Sequence, residues 1–225
     1  MAERTSLVLS TQSWRSRTGI ILVLGLFSLW IFSELLTKSP YHKEKFYGFR
    51  QMKQENLIFL GDSMTDWHNW HHFGAHYNAG ISGDTTAGLL ARINTITERK
   101  PHTVVLMIGV NDLLNDKPLE QVKRNYSRIL DALSDTRELI ILSTLPVIDF
   151  YQADQINANI KALNTFLKNE VQKRHIRYID LHTSFWGDHF GMQRQYTLDG
   201  VHLNSQGYLL WENILKKEFP SGFSK

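Results

Sequence analysis

The sequence predicts a three-layer α/β/α sandwich built on a parallel sheet of five strands. Two observations carry that prediction. From Leu57 onward, short apolar runs of strand length alternate with longer stretches of helical periodicity, the pattern of parallel strands joined by right-handed crossovers. Three of the runs also close on glycine and polar residues, at Gly61-Asp62-Ser63, Gly80-Ile81-Ser82-Gly83 and Gly109-Val110-Asn111. Polar residues at the carboxyl ends of strands are where open α/β sheets bind ligands.

Leu57 to Leu60 is the first buried strand, and Gly61-Asp62-Ser63 is the turn that stops it. The aromatic and histidine-rich passage that follows holds His68, His71, His72 and His76. Helical spacing of four would bring His68 and His72 together as a metal pair, but no carboxylate of a zinc motif accompanies them, so they read as rim residues and no metal is expected. Tyr77 to Ala79 is a short second strand. Asp84 or Thr85 caps a helix running to about Arg99, and Pro101 ends it. Val104 to Ile108 is the third strand, closing on Gly109-Val110-Asn111-Asp112, and a helix carrying Val122, Tyr126, Ile129 and Leu133 follows. Leu139 to Leu142 is the fourth strand. A helix from about Gln155 to Lys173 shows a core stripe of Ile156, Ile160, Leu163, Phe166, Leu167 and Val171. Ile176 to Ile179 is the fifth strand, and the loop Leu198 to Asn204 leads into a last helix, Ser205 to about Glu218.

Ahead of this domain (56–225) the chain divides into a polar tail (1–18), an apolar stretch (19–36) and a polar linker (37–55). A helix over the apolar stretch spans about 27 Å, close to a hydrocarbon core of about 30 Å. No small-x-small cleavage pattern follows it, so an uncleaved signal anchor is expected in preference to a cleaved signal peptide or a buried helix. Arg4, Arg15 and Arg17 favour an inside N-terminus with the domain outside the cytoplasm, while Lys38, Lys43 and Lys45 weigh against that orientation.

At 225 residues the chain is long enough for one α/β domain with a sizeable core. The net charge of +3 is small and shows no stripe of Lys and Arg interleaved with aromatics, so no nucleic-acid partner is expected. The absence of cysteine excludes disulfides, thiolate metal sites and a cysteine nucleophile.

Serine becomes a useful nucleophile only when a base takes its proton, and His202 is the residue suited to that at neutral pH. Asp199, three residues earlier, can accept the imidazole Nδ1–H from the same loop. Attack of Ser63 on an ester would create an oxyanion, for which the Ser63 N–H, the Gly83 N–H and the Asn111 side-chain amide are the candidate donors. Trp67, Trp70 and His71, with Phe73, either wall an acyl pocket or pack on the core.

GDS at 61–63, NAGISGDT at 78–85, GVND at 109–112 and DGVH at 199–202 together resemble the four consensus blocks of the SGNH, or GDSL-type, hydrolase family, in that family's order. The resemblance covers roughly Leu57 to Glu218. It implies a flavodoxin-like sheet and a serine esterase that needs no metal or cofactor, with Ser63 as nucleophile, Asp199 and His202 as orienter and base, and Gly83 and Asn111 as oxyanion donors. No Gly-x-Ser-x-Gly elbow surrounds Ser63. The expected activity is hydrolysis of carboxylic esters through an acyl-enzyme, on lysophospholipids, short acyl or acetyl esters, thioesters or acetylated envelope sugars. The alternatives are acyl transfer to a sugar or lipid hydroxyl and an anchored binding module.

Overall fold

The computed structural model describes residues 56–187, 190–220 and 223. The expected tail, membrane anchor and linker, 1–55, lie outside the described residues. Among the described residues no helix is long and apolar enough to cross a membrane.

Five strands form the sheet: β1 (Leu57–Gly61), β2 (Tyr77–Gly80), β3 (Thr103–Met107), β4 (Glu138–Leu142) and β5 (Arg177–Ile179). Every neighbouring pair is parallel, in the order β2-β1-β3-β4-β5. This is the flavodoxin order, whose crossovers diverge at the β1/β3 junction and leave a crevice at the carboxyl ends of those strands. β1 and β3 are buried at every position, as strands covered on both faces must be, which is why they read as continuous apolar runs.

The helical layers follow from the amphipathic stripes. On one side, α2 (Thr86–Arg92) packs on α5 (Leu119–Ala132), and α5 packs on α6 (Ala153–Lys173). On the other, α8 (Ser205–Glu218) brings Trp211 edge-on to Trp70, with ring centroids 5.0 Å apart, and Trp70 stacks on Phe59 of β1 at 4.3 Å. Between these elements run three short helices, α1 (Ser63–Asp66), α3 (Asn94–Thr97) and α4 (Val110–Leu114), and α7 (His182–Phe185) follows β5.

Two sequence expectations need correction. The helix expected to run unbroken to about Arg99 is two helices, α2 and α3. The Thr95 hydroxyl donates to the Arg92 carbonyl at 2.7 Å, and Ile93 N–H reaches Leu90 O at 3.4 Å in a tighter turn; a side chain competing for a backbone carbonyl in this way breaks the regular ladder. The second concerns His68 and His72, expected only as rim residues, which do not share a helical face. Both turn instead toward Glu212 of α8, His68 Nε2 at 2.8 Å from Oε1 and His72 Nδ1 at 2.8 Å from Oε2, with Lys216 Nζ 2.8 Å from Oε2. Burial works against the Glu212 charge, but the hydrogen bonds from Lys216, His72 and His68 outweigh it and hold the carboxyl down at about 2. Among the described residues no group of three or more His, Cys, Asp or Glu is arranged to hold a metal ion.

Candidate active site

Three adjacent strands end side by side, and each end carries one of the groups anticipated from sequence. β1 runs into Asp62, whose Oδ1 accepts the Met64 N–H at 3.1 Å and so caps α1, placing Ser63 at the first helical position. β2 runs into a tight turn in which Asp84 N–H returns to Ile81 O at 3.0 Å. Gly83 holds φ +79 there, a left-handed conformation that costs glycine nothing, and the space where a Cβ would stand is open to 4 Å. β3 leads into α4, and Asn111 Nδ2 donates to Asp84 O at 2.9 Å. One amide hydrogen is thereby committed to anchoring, and the second is free for a ligand oxygen. Among the described residues, neither the Ser63 N–H nor the Gly83 N–H has a hydrogen-bond partner.

The base arrives from the loop before α8. His202 Nε2 lies 3.0 Å from Ser63 Oγ, and its Nδ1 lies 2.7 Å from Asp199 Oδ2. The other Asp199 oxygen accepts the N–H groups of Val201 and His202 at 3.0 and 2.8 Å. Burial opposes the Asp199 charge, but the bonds from His202 and Val201 prevail and keep its carboxyl below the ordinary range, so it stays an acceptor at any pH where the imidazole is neutral. The loop is held from both sides. Thr197 Oγ1 donates to His202 O at 2.8 Å, and Ile148 N–H donates to Gly200 O at 2.8 Å. Gly200, at φ +91, lies so close to the Ile148 carbonyl that any Cβ would collide with it.

Beneath the crevice lies a buried ionic framework that sequence reading missed. Arg92 pairs with Asp84 at 2.7 Å and donates to Ala79 O at 3.0 Å and Gly61 O at 3.2 Å, tying the ends of β2 and β1 to the Gly83 turn. Asp112 accepts the Thr86 N–H at 2.8 Å and its hydroxyl at 2.6 Å. Asp62 is fully enclosed, and burial, opposed by the Met64 N–H and aided by the negative charges of Asp84 and Asp112, raises its carboxyl to about 7. The three aspartates lie within the GDS, NAGISGDT and GVND blocks, but nothing local in the sequence pairs them with Arg92 and Thr86 of α2.

The aromatic residues separate. Trp67 is 53% exposed and stacks on His202, with centroids 4.1 Å apart and planes 19° from parallel. Trp70, a candidate wall of the substrate pocket, is fully buried between Phe59 and Trp211, with Nε1–H on Thr65 O at 3.0 Å. It is a core residue, because turning its ring outward would strand that N–H and open a large cavity. Trp70→Ala is therefore expected to lower unfolding stability by about 3 to 5 kcal/mol, measured by denaturant titration. His71 sits on the exposed turn His71–Phe73 against the His72 ring, and no described contact joins it to Ser63. A groove of about 470 Å³ between α6 and the end of β5, lined by Lys161, Lys168, His182 and Trp186 among others, contains none of the Ser63 cluster.

A flavodoxin-like sheet that presents a Ser-His-Asp chain at its switch point, without a nucleophile elbow, defines a class of α/β/α hydrolases. The chain belongs to the GDSL-like lipase/acylhydrolase family, whose sequence pattern matches residues 59–210. Among solved structures it is similar to a GDSL-like lipase from Bacteroides thetaiotaomicron, at 22% identity over 80% of this chain and 98% of that one, with a TM-score of 0.70. It is similar also to an acetylxylan esterase from Geobacillus stearothermophilus, at 18% identity over 76% of this chain and 95% of that one, with a TM-score of 0.65. Among sequence relatives, it is 24% identical over 154 residues to an N-acylneuraminate cytidylyltransferase of Streptococcus agalactiae serotype V, covering 68% of this chain and 36% of that protein. The chain thus spans about a third of the length of that relative.

Proposed function

We propose that the chain is a serine esterase that removes short acyl groups, acetyl foremost, from hydroxyls of a carbohydrate. The observation that carries this reading is the continuous relay from Ser63 Oγ through His202 to Asp199, at 3.0 and 2.7 Å, facing donors at Ser63, Gly83 and Asn111. In the reaction His202 Nε2 takes the Ser63 proton as Oγ bonds to the ester carbonyl carbon, and the resulting oxyanion is held by the three donors. The imidazolium, steadied by Asp199, returns the proton to the leaving alkoxide, giving an acyl-enzyme and a free alcohol. Water then repeats the sequence on the acyl carbonyl, releasing the carboxylic acid and regenerating Ser63. The carbohydrate part of the proposal draws on the likeness to an acetylxylan esterase. In this reading the apolar segment 19–36 tethers the domain at the outer face of a membrane.

The direct test is acetate release from acetylated sugars together with labelling of Ser63 by a fluorophosphonate. Turnover without any added acceptor, and an adduct mapped to Ser63, are expected; acetyl groups passed only to a second sugar, with no free acetate, would reveal an acyltransferase. Asn111→Ala is expected to lower kcat by about 10² to 10³ with little change in KM. An effect confined to KM would mean that Asn111 binds the ground state.

A further inference from the structure

Trp67 is tied to both halves of the site. Its Nε1–H donates to Ser82 Oγ at 2.8 Å. Ser82 is itself fixed, its hydroxyl and N–H both donating to Asp66 Oδ2, at 2.7 and 3.2 Å. Ser82 immediately precedes Gly83, the oxyanion donor, while the indole face lies flat on His202. We infer that Trp67 is a positioning residue, which sets the plane of the His202 ring and couples it to the oxyanion turn through Ser82 and Asp66. This inference rests on the esterase reading of the site and assigns a role that burial does not explain, since the indole is half open to solvent.

The geometry favours this role physically. Two in-plane bonds, to Ser63 and Asp199, fix where the ring nitrogens of the imidazole point but resist tilting of the ring out of that plane only weakly. A ring stacked on one face supplies the missing restraint. During turnover His202 carries a positive charge, and the face of an indole attracts a cation. Asp199 is the charged group facing His202 in the plane, and Trp67 is the neutral one facing it from above. The anchor at Ser82 matters because a free, exposed indole would sample other rotamers and lose the stack. Trp67 makes no bond to the reacting atoms, so its effect passes through His202.

The test compares Trp67→Leu, Trp67→Phe and Ser82→Ala in the full chain. Trp67→Leu is expected to lower kcat about tenfold, to change KM less than twofold and to shift the acidic limb of kcat/KM, because the charged imidazole loses a favourable neighbour. Trp67→Phe keeps a stacking face but, like Ser82→Ala, lacks the anchoring bond, so both are expected to fall between Trp67→Leu and wild type, with Ser82→Ala the nearer to wild type. A rise in KM with unchanged kcat would overturn the inference and make Trp67 a substrate wall, and so would a Leu variant indistinguishable from wild type. A spectroscopic reading needs no substrate. The chain has six tryptophans, so the difference in emission between wild type and Trp67→Phe isolates this indole. That difference is expected to be quenched as His202 gains its proton and to stop titrating in His202→Asn; a pH-independent difference overturns the stack. Failure of the esterase reading looks different, with wild type neither turning over esters nor forming a Ser63 adduct.

Discussion

Ser63→Ala is expected to lower kcat for ester hydrolysis by about 10⁴ to 10⁶ while the protein unfolds at nearly its original temperature. The two halves of that expectation have separate causes. Ser63 Oγ makes its described hydrogen bond to His202 alone, so removing it forfeits about 1 kcal/mol of stability at most. With no other oxygen in place to attack, the acyl-enzyme route closes and only the binding and oxyanion terms remain. Steady-state rates on a chromogenic acetate, beside a thermal melt, check both. For the wild type, kcat/KM is expected to fall as pH drops and His202 becomes protonated, since only the neutral imidazole accepts the serine proton. A rate flat from pH 8 to 5 would remove His202 from the role.

Arg92→Met is expected to be the most damaging change away from the reacting atoms, costing about 5 kcal/mol or more of stability. The substitution keeps most of the volume but leaves the Asp84 carboxyl buried with the Thr85 N–H in place of the guanidinium, so that it must either carry an unpaired charge or take up a proton, and it takes donors from the Ala79 and Gly61 carbonyls. At about 2 to 4 °C per kcal/mol for a domain of this size, the melting temperature should drop by about 10 to 20 °C. Adding Asp84→Asn is expected to restore part of that loss, because the stranded charge disappears while the two orphaned carbonyls persist. A single variant that melts like the wild type would show that the guanidinium is dispensable.

Much of the site was legible in the sequence because its parts are local. Apolar runs broken by glycine locate strand ends, and strand ends locate Ser63, Gly83 and Asn111; Asp199 and His202 share one short loop. What was not legible depends on partners far along the chain. Trp67 and Trp70 sit three residues apart in the same aromatic passage, and only the packing of α8 decides that one faces His202 and the other lies under Phe59. His68 and His72 read only as rim residues, because their common partner, Glu212, is 140 or more residues away. Arg92 read as an ordinary helix residue, since nothing local signals that its side chain turns inward beneath the ends of β1 and β2. The break at Ile93 arose from one threonine hydroxyl, a competition that periodicity does not register.

The enclosed Asp62 carboxyl carries a thermodynamic signature of its own. Its native value of about 7 stands above the ordinary 3.8, so between those pH values the native chain retains a proton that the unfolded chain gives up. Over that window this group makes stability decline as pH rises, opposite to Asp199 and Glu212, whose contributions vanish only in acid. Melting near pH 6 therefore releases the Asp62 proton while His68 and His182, which burial holds below the ordinary imidazole range, take protons up, and the heat recorded by calorimetry will differ between phosphate and a tertiary amine buffer in proportion to the balance of the two.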